Sequence, residues 1–299
     1  MSLAENDPVS RLKILSSLYW RTGKAHVIGI TGPPGCGKSS LIAQLAKTYR
    51  SKGDCVGIVA VDPSSQITGG ALLGDRIRMS ELSPDPKIFI RSMATRGYFG
   101  GVARATEDIV RIFDALHMDK IVIETTGAGQ SDVDVKSLAD TTVVVTAPGL
   151  GDEIQALKAG IMEIGDIFVV NKSDKENADR TMQEIYSIIM MPEATCWRPR
   201  VLKTNALSGE GVTPLIEAIH QHRKYHKEKT TTDELDRLSR EVTYAAKRYV
   251  EDVALERTIS TKWFTDLLIQ VKKRKIDPYT AARKLLKKAI SSQDSFEYT

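Results

Sequence analysis

Short apolar runs, rich in β-branched residues, recur through the first two-thirds of the chain at His26–Thr31, Cys55–Val61, Ile88–Arg91, Lys120–Ile123, Thr141–Thr146, Ile167–Val170 and Val201–Thr204. Between most of them the apolar positions shift to helical spacing, as in Lys38–Tyr49, Val102–Leu116, Glu153–Met162 and Asn177–Met190. Each run is strand-length, and strands that alternate with helices of this length predict an α/β fold built on a doubly wound, mostly parallel sheet. Sheets of that kind bind ligands beyond the carboxyl ends of their strands, so chemistry is sought there.

After about His226 the strand pattern stops. Thr230–Arg257, Thr261–Lys275 and Pro278–Ile290 all carry helical spacing. Thr230, Thr231 and Thr232 ahead of Asp233-Glu234 mark a helix start with acids in the first turn. Asp277-Pro278 marks another, because proline is tolerated at the first helical position. The expected organisation is a short N-terminal helical segment (1–24), a sheet domain (25–228) and a longer C-terminal helical extension (229–299). Trp263, Phe264, Leu267 and Leu268 lie on or near one helical face, which suits either plain core or a partner helix. The extension can therefore pack on its parent sheet or act as an arm that pairs two subunits.

Composition narrows the class. A chain of 299 residues with 41% hydrophobic and 27% charged side chains can bury a globular core without disulfide or structural metal. Cys36, Cys55 and Cys196 are far apart and form no metal-ligand spacing, which suits a reducing compartment. The net charge of +4 is small, and the one run of four basic residues, Lys272-Lys273-Arg274-Lys275, reads as a solvated helix end. No nucleic-acid partner is expected. Met1 to Trp20 carries charges throughout, and no window reaches the roughly 18 apolar residues that cross a bilayer. A cytoplasmic protein with no membrane partner is expected.

Gly32-Pro33-Pro34-Gly35-Cys36-Gly37-Lys38-Ser39 fits G-x-x-x-x-G-K-[ST], follows the strand His26–Thr31 and opens the helix at Lys38. That context is what a phosphate-binding loop requires. Glycines let the backbone turn its amides inward, and the helix N-terminus adds positive dipole character. Lys38 is placed to reach the β- and γ-phosphates and the Ser39 hydroxyl to ligate Mg²⁺, with Ser40 next in the loop. Asn171-Lys172-Ser173-Asp174 ends the strand Ile167–Val170 and fits N-K-x-D, in which the aspartate accepts from guanine N1 and its exocyclic amine. The asparagine meets the other side of the base, and the lysine stem covers it. Adenine lacks both donors, so ATP leaves the carboxylate unpaired. Asn205, Ala206 and Leu207, after the next strand, are placed to complete the base pocket through backbone amides. Ile121 to Gly127 reads as an apolar strand ending in a carboxylate and then glycine; Glu124 is placed to help hold Mg²⁺ and the Gly127 amide to meet the γ-phosphate. A Ras-type protein has Asp at the Glu124 position and a glutamine soon after the glycine. Here Ala128 follows Gly127 and the nearest glutamine is Gln130, so slow intrinsic turnover is expected.

Asp62-Pro63-Ser64-Ser65, Thr68 to Met79, Glu124 to Ser131 and Pro148 to Gly160 together resemble the MeaB/MMAA (ArgK-like) family of GTPases, and Ile276 to Ala282 resembles that family's C-terminal helices. The resemblance runs from about residue 8 to about 291. It implies a homodimeric, cytoplasmic GTPase that uses GTP/GDP and Mg²⁺ and gates adenosylcobalamin loading into a cobalamin-dependent acyl-CoA mutase. The mutase would be methylmalonyl-CoA mutase or a relative, which the GTPase protects from inactivation. By motif, Asp62 and Asp75 join Ser39 and Glu124 around the metal, and Asp62–Met79 becomes a switch loop sensing the γ-phosphate. Asp152–Lys158 becomes a second switch facing the mutase. Lys38, Glu124, Gln130 and Lys158 are then the catalytic candidates, although Lys158 by itself reads as an exposed helix lysine. The chain begins about 24 residues before its first strand, so the family's N-terminal helical extension is expected to be short. Thr126-Gly127-Ala128 stands where valines usually flank the glycine.

Two other classes share parts of this pattern. A transport-linked kinase or ATPase needs a catalytic base and an acceptor pocket, and Asn171 to Asp174 counts against it. A nickel-enzyme maturation GTPase calls for His-rich or paired-Cys ligands. His220, His222 and His226 fall close together, but no cysteine joins them, and a solvated helix end is the expected reading.

Overall fold

All seven apolar runs form strands in a computed structural model, which describes residues 8–62, 79–94, 106–125, 134–150, 161–189, 197–229, 233–250, 256–259 and 261–291. The elements follow in the order α1 (Pro8–Leu18), a 3-10 turn (Tyr19–Arg21), β1 (His26–Thr31), α2 (Lys38–Ser51), β2 (Val56–Asp62), a second 3-10 turn (Ser80–Leu82), β3 (Ile88–Ala94) and α3 (Thr106–Ala115). Next come β4 (Lys120–Glu124), α4 (Asp134–Leu138), β5 (Thr141–Thr146), α5 (Ile161–Ile164), β6 (Ile167–Val170), α6 (Ala178–Ile189), β7 (Arg200–Lys203) and α7 (Val212–Lys229). The last are α8 (Asp233–Tyr249), α9 (Glu256–Ile259), α10 (Lys262–Lys272) and α11 (Pro278–Ser291). Most expected boundaries hold within a few residues. Residues 101–105 and 151–160, which open two of the expected helices, lie outside the described set.

The sheet order among the described residues is β3-β2-β4-β1-β5-β6-β7, and every neighbouring pair is parallel. Strands β1, β4, β5 and β6 are buried on nearly every residue, as a parallel sheet covered on both faces requires. Alternation sorts them. Ile28, Ile30, Val122, Val143, Val145, Ile167 and Val169 join Leu41, Ile42 and Leu45 of α2 and Leu215, Ile216 and Ile219 of α7 in one core. On the opposite face two glycines make room for helices: a Cβ at Gly29 would strike Val135 of α4, and one at Gly57 would strike Phe113 of α3.

By internal contacts the chain divides into two units, Lys13–Glu228 with the sheet and Ser2–Leu12 together with Lys229–Thr299. In the second, α9, α10 and α11 pack on one another around Leu267, Ala281 and Ala289. Of the expected apolar stripe on α10, Leu267 is buried and Trp263 and Phe264 are half-buried, while Leu268 faces outward. The start of α11 is capped by Asp277, whose carboxylate accepts from Thr280 N at 2.9 Å and Thr280 Oγ1 at 2.6 Å. Lys272 to Lys275 are all exposed at the end of α10, as a solvated helix end demands.

One histidine departs from expectation. His222 is 3% exposed, because α7 presents Leu215, Ala218, Ile219 and then residue 222 to the sheet at helical spacing. Its Nδ1 meets Thr141 Oγ1 at 2.9 Å, and the same hydroxyl meets His26 Nε2 at 3.0 Å. Asp166 stands 3.5 Å from His222 Nε2, and the Trp197 ring packs edge-on at 4.8 Å. Burial, reinforced by Arg223 and Lys120, drives the His26 pKa down to about 2. Burial also lowers His222, against the opposing pull of Asp166. Both rings are neutral members of a packed layer at the amino ends of β1 and β5.

Candidate nucleotide site

The phosphate loop leaves the carboxyl end of β1, the middle strand of the sheet, and runs into α2. Two of its glycines are required by geometry. Gly32 has φ 139°, and a Cβ there would run into the Val145 carbonyl of β5. Gly37 has φ 95°, and its Cβ would strike the Asn171 side-chain amide. Lys38 and Ser39 are both buried at the start of α2. Lys38 Nζ donates to Gly32 O at 2.7 Å and Pro33 O at 3.1 Å, which holds the ammonium over the loop where a phosphate oxygen would be a stronger acceptor. Pro34 and Gly35 form the turn, and Ser40 follows in the first turn of α2. Burial raises the Cys36 thiol to about 11, so it stays protonated and unreactive in the loop.

Glu124 ends β4, opposite Ile30 of β1 on one side and Ala60 of β2 on the other. Ser39 Oγ donates to Glu124 Oε1 at 2.6 Å, and both residues are buried. A hydroxyl and a carboxylate side by side are hard oxygen donors that fit Mg²⁺, which commonly takes one or two protein ligands plus phosphate oxygens and water. Thr125 Oγ1 donates to Thr31 Oγ1 at 3.0 Å, clamping the ends of β4 and β1 together beside this pair.

The base-reading candidate lies two strands over, at the end of β6. Asn171 is 2% exposed, and its amide is largely committed to protein. Nδ2 donates to Cys36 O at 2.8 Å, while Oδ1 accepts from Thr204 Oγ1 at 3.1 Å and from Ala206 N at 3.0 Å. Expected simply beside the base, Asn171 instead staples the phosphate loop, β6 and the β7–α7 loop together. Lys172 adopts the left-handed region with φ 58°, and its Nζ donates to Gly35 O at 2.7 Å, a second tie to the phosphate loop. Asp174 is exposed, and its Oδ1 accepts from Asn205 Nδ2 at 2.9 Å. Leu207 N donates to Asn205 Oδ1 at 3.0 Å, so of the two amides expected to face the base, that of Leu207 is engaged within the loop and that of Ala206 by Asn171.

Gly32 to Ser40, Glu124, Asn171, Lys172, Asp174 and Asn205 to Leu207 therefore collect on the carboxyl edge of one sheet. Asp62 ends β2 on the same edge, but its side chain lies outside the described residues. Asp75, Gly127, Gln130 and Lys158, with residues 63–78 of the first expected switch and all of the second, also fall outside them. Among the described residues no group of three or more His, Cys, Asp or Glu is arranged to hold a metal. No described helix is long and apolar enough to cross a membrane. The motifs did not reveal the side-chain roles of Asn205 and Thr204. The only local hint was an asparagine at a strand end, four residues before Gly209, where such side chains cap turns.

Comparison with known proteins agrees with this geometry. A family model described as methylmalonyl-CoA mutase-associated GTPase MeaB matches residues 1–262. A Pyrococcus horikoshii protein named as a GTPase is 45% identical over 297 residues, covering 97% of this chain and 92% of its own length. The mitochondrial methylmalonic aciduria type A homolog of Caenorhabditis elegans is 38% identical over 209 residues, covering 68% of this chain and 52% of that protein. Among solved structures, one titled LAO/AO transport system kinase shares the fold with a TM-score of 0.63 and 24% identity, over 92% of this chain and 85% of that one. With a family model spanning most of its length and close full-length relatives, the chain belongs to the MeaB family of P-loop GTPases.

Proposed function

We propose that this GTPase binds GTP and GDP with Mg²⁺, gates adenosylcobalamin loading and protects a cobalamin-dependent acyl-CoA mutase, methylmalonyl-CoA mutase or a relative. The observation that most supports this reading is the Asn171 Nδ2–Cys36 O bond, which makes a phosphate cradle and a base-reading segment one pocket. The match to a family described as methylmalonyl-CoA mutase-associated supports the partner class. In the pocket, the loop amides and the α2 N-terminus bind the phosphates, and Lys38 exchanges its carbonyl partners for phosphate oxygens. Asp174 accepts from guanine N1–H and the 2-amino group, and the Lys172 stem covers the base. Ser39 and Glu124, with Asp62 and Asp75, would hold Mg²⁺, which would supply positive charge to offset that of the phosphates. Turnover is slow in isolation and rises with the mutase, and Gln130 and Lys158 are the candidates for completing the hydrolytic site.

The protein acts as a cytoplasmic homodimer paired through residues 229–299. Helix α8 supports this, since Leu235, Leu238, Val242, Ala245 and Tyr249 repeat at three- and four-residue steps, the spacing of a two-helix seam. Leu235 is 73% exposed and Val242 68% exposed within a single copy. The test is purification of the protein from its native cell, followed by identification of the bound partner and any corrinoid. Recovery of a cobalamin-dependent mutase whose addition speeds GTP hydrolysis is expected. Recovery of a nickel enzyme, or hydrolysis indifferent to the mutase, would overturn the reading.

A further inference from the structure

We infer that Lys136, Asp166 and His222 form a proton-sensitive latch on α4: Lys136 and a proton on His222 compete for one carboxylate oxygen, so acidification frees the helix and slows turnover. The effect on turnover rests on the hydrolytic role proposed for Gln130, which precedes α4 in the chain. Asp166 stands just ahead of β6, and every polar atom it has except Oδ1 is committed to β5 or to Trp197. Its N–H donates to Thr142 O at 2.9 Å, its carbonyl accepts from Trp197 Nε1 at 2.9 Å, and Oδ2 accepts from Thr142 N at 2.8 Å. Oδ1 is left between Lys136 Nζ, which donates to it at 2.5 Å, and His222 Nε2 at 3.5 Å. The second contact is too long for a strong hydrogen bond, and the other ring nitrogen already meets Thr141 Oγ1 at 2.9 Å. Two more histidines face this ring: His226 one turn on along α7, with ring centres 6.0 Å apart, and His26 on the far side of Thr141. Trp197 packs edge-on against the ring, and Tyr225 of α7 lies against Trp197 at 5.4 Å.

Burial lowers the His222 pKa below 6.5, Asp166 opposes the shift, and Lys136 and His226 reinforce it. The neutral ring therefore leaves Oδ1 to Lys136. A proton taken up at lower pH turns the loose contact into a charge-assisted bond, and Lys136, whose side chain is 43% exposed, yields the oxygen and returns to water. The competition is reciprocal. Lys136 opposes protonation of His222 by the same free energy with which protonated His222 weakens the Lys136 contact. What Lys136 holds is α4. This helix begins at Asp134, and its Val135 is fully buried against Gly29 of β1, the strand that leads into the phosphate loop. With the latch closed, α4 is fixed to β1 through Val135 and to the start of β6 through Lys136. Opening the latch leaves the apolar contact alone.

Nuclear magnetic resonance follows the titration of the His222 ring, assigned by its absence in His222→Gln. Phosphate release by the whole chain at saturating GTP and Mg²⁺ gives kcat between pH 8 and pH 5. In Lys136→Met, His222 is expected to titrate at higher pH than in wild type; in Lys136→Arg, which keeps the cation, it should titrate as in wild type. The Ala139 amide, bonded to Val135 O at 3.0 Å, should exchange faster in Lys136→Met at pH 8. Wild-type kcat is expected to fall by about fivefold or more towards pH 5 relative to His222→Gln, whose side chain takes up no proton, with GDP affinity alike in the two. Lys136→Met should be slow already at pH 8, and Lys136→Arg should not. A packing role alone for Lys136 would not move the His222 titration. Should His222→Gln fail to fold, Lys136→Met takes its place, with a kcat that is low at pH 8 and changes little towards pH 5. An unchanged His222 titration in Lys136→Met overturns the latch. A kcat that follows the wild-type pH profile in His222→Gln overturns its control of turnover. A wild type that hydrolyses no GTP at any pH, while the His222 titration moves as expected, removes the hydrolytic reading and leaves the latch standing.

Discussion

Replacing Asn171 by alanine removes one buried side chain and three hydrogen bonds that connect separate segments of the sheet edge. The carboxamide spans Cys36 O at 2.8 Å, Thr204 Oγ1 at 3.1 Å and Ala206 N at 3.0 Å, so the change strips partners from the phosphate loop and from the β7–α7 loop together. A buried donor or acceptor left without a partner costs about 1–3 kcal/mol. The Thr204 hydroxyl can rotate to another acceptor, whereas Cys36 O and Ala206 N are fixed by the backbone. The expected loss is therefore about 3–5 kcal/mol, against a typical domain stability of about 5–15 kcal/mol. Urea unfolding of wild type and Asn171→Ala, followed by circular dichroism, measures it as a lower midpoint. Amide hydrogen exchange at Ala206 supplies the local readout, because its N–H loses its acceptor and should exchange faster. GDP affinity should fall in the same variant, since cradle and base-reading segment are no longer tied. An unfolding free energy within about 1 kcal/mol of wild type, with Ala206 still protected, would refute the assignment of Asn171 as the staple.

Three other outcomes are expected. His26 has a folded pKa of about 2 against an ordinary 6.5, so the unfolded chain binds the proton more readily. The stabilisation is complete above pH 6.5 and is lost as pH falls below it, by about 2 kcal/mol at pH 5, with His222 adding in the same direction. Urea midpoints at pH 8, 6.5 and 5 should show this slope, and His26→Gln should flatten it. Gly37→Ala places a Cβ against the Asn171 amide at a left-handed position and should lower both thermal stability and GDP affinity, as read by calorimetry with and without GDP. Lys38→Ala should weaken GDP binding by about tenfold to a hundredfold in equilibrium binding, with a far-ultraviolet spectrum like that of wild type.

Much of the fold was legible because the strands of a buried parallel sheet announce themselves as continuous apolar runs, and all seven did. The phosphate loop was legible for a different reason: its residues are constrained by local backbone geometry, so Gly32 and Gly37 appear at fixed spacing before Lys38. The long-range links were not. Asn171 reaches Cys36 across 135 residues and Thr141 reaches His222 across 81, and neither pairing leaves a periodic trace in the chain. His222 departs from expectation because a histidine near a helix end normally faces water, whereas here the helix runs on to Lys229 and turns that position inward onto Thr141. Asn205 is expected in the pocket for its backbone, while the structure gives its side chain the contact with Asp174.

If one sheet edge holds a phosphate cradle and a guanine-reading carboxylate in a single site, the protein must discriminate guanine from adenine nucleotides. Titration calorimetry of the whole chain with GTP and with ATP, each with Mg²⁺, tests it most directly. GTP is expected to bind more tightly by a factor on the order of 10⁴, because adenine leaves the Asp174 carboxylate without its two donors. ATP binding as tightly as GTP would contradict it.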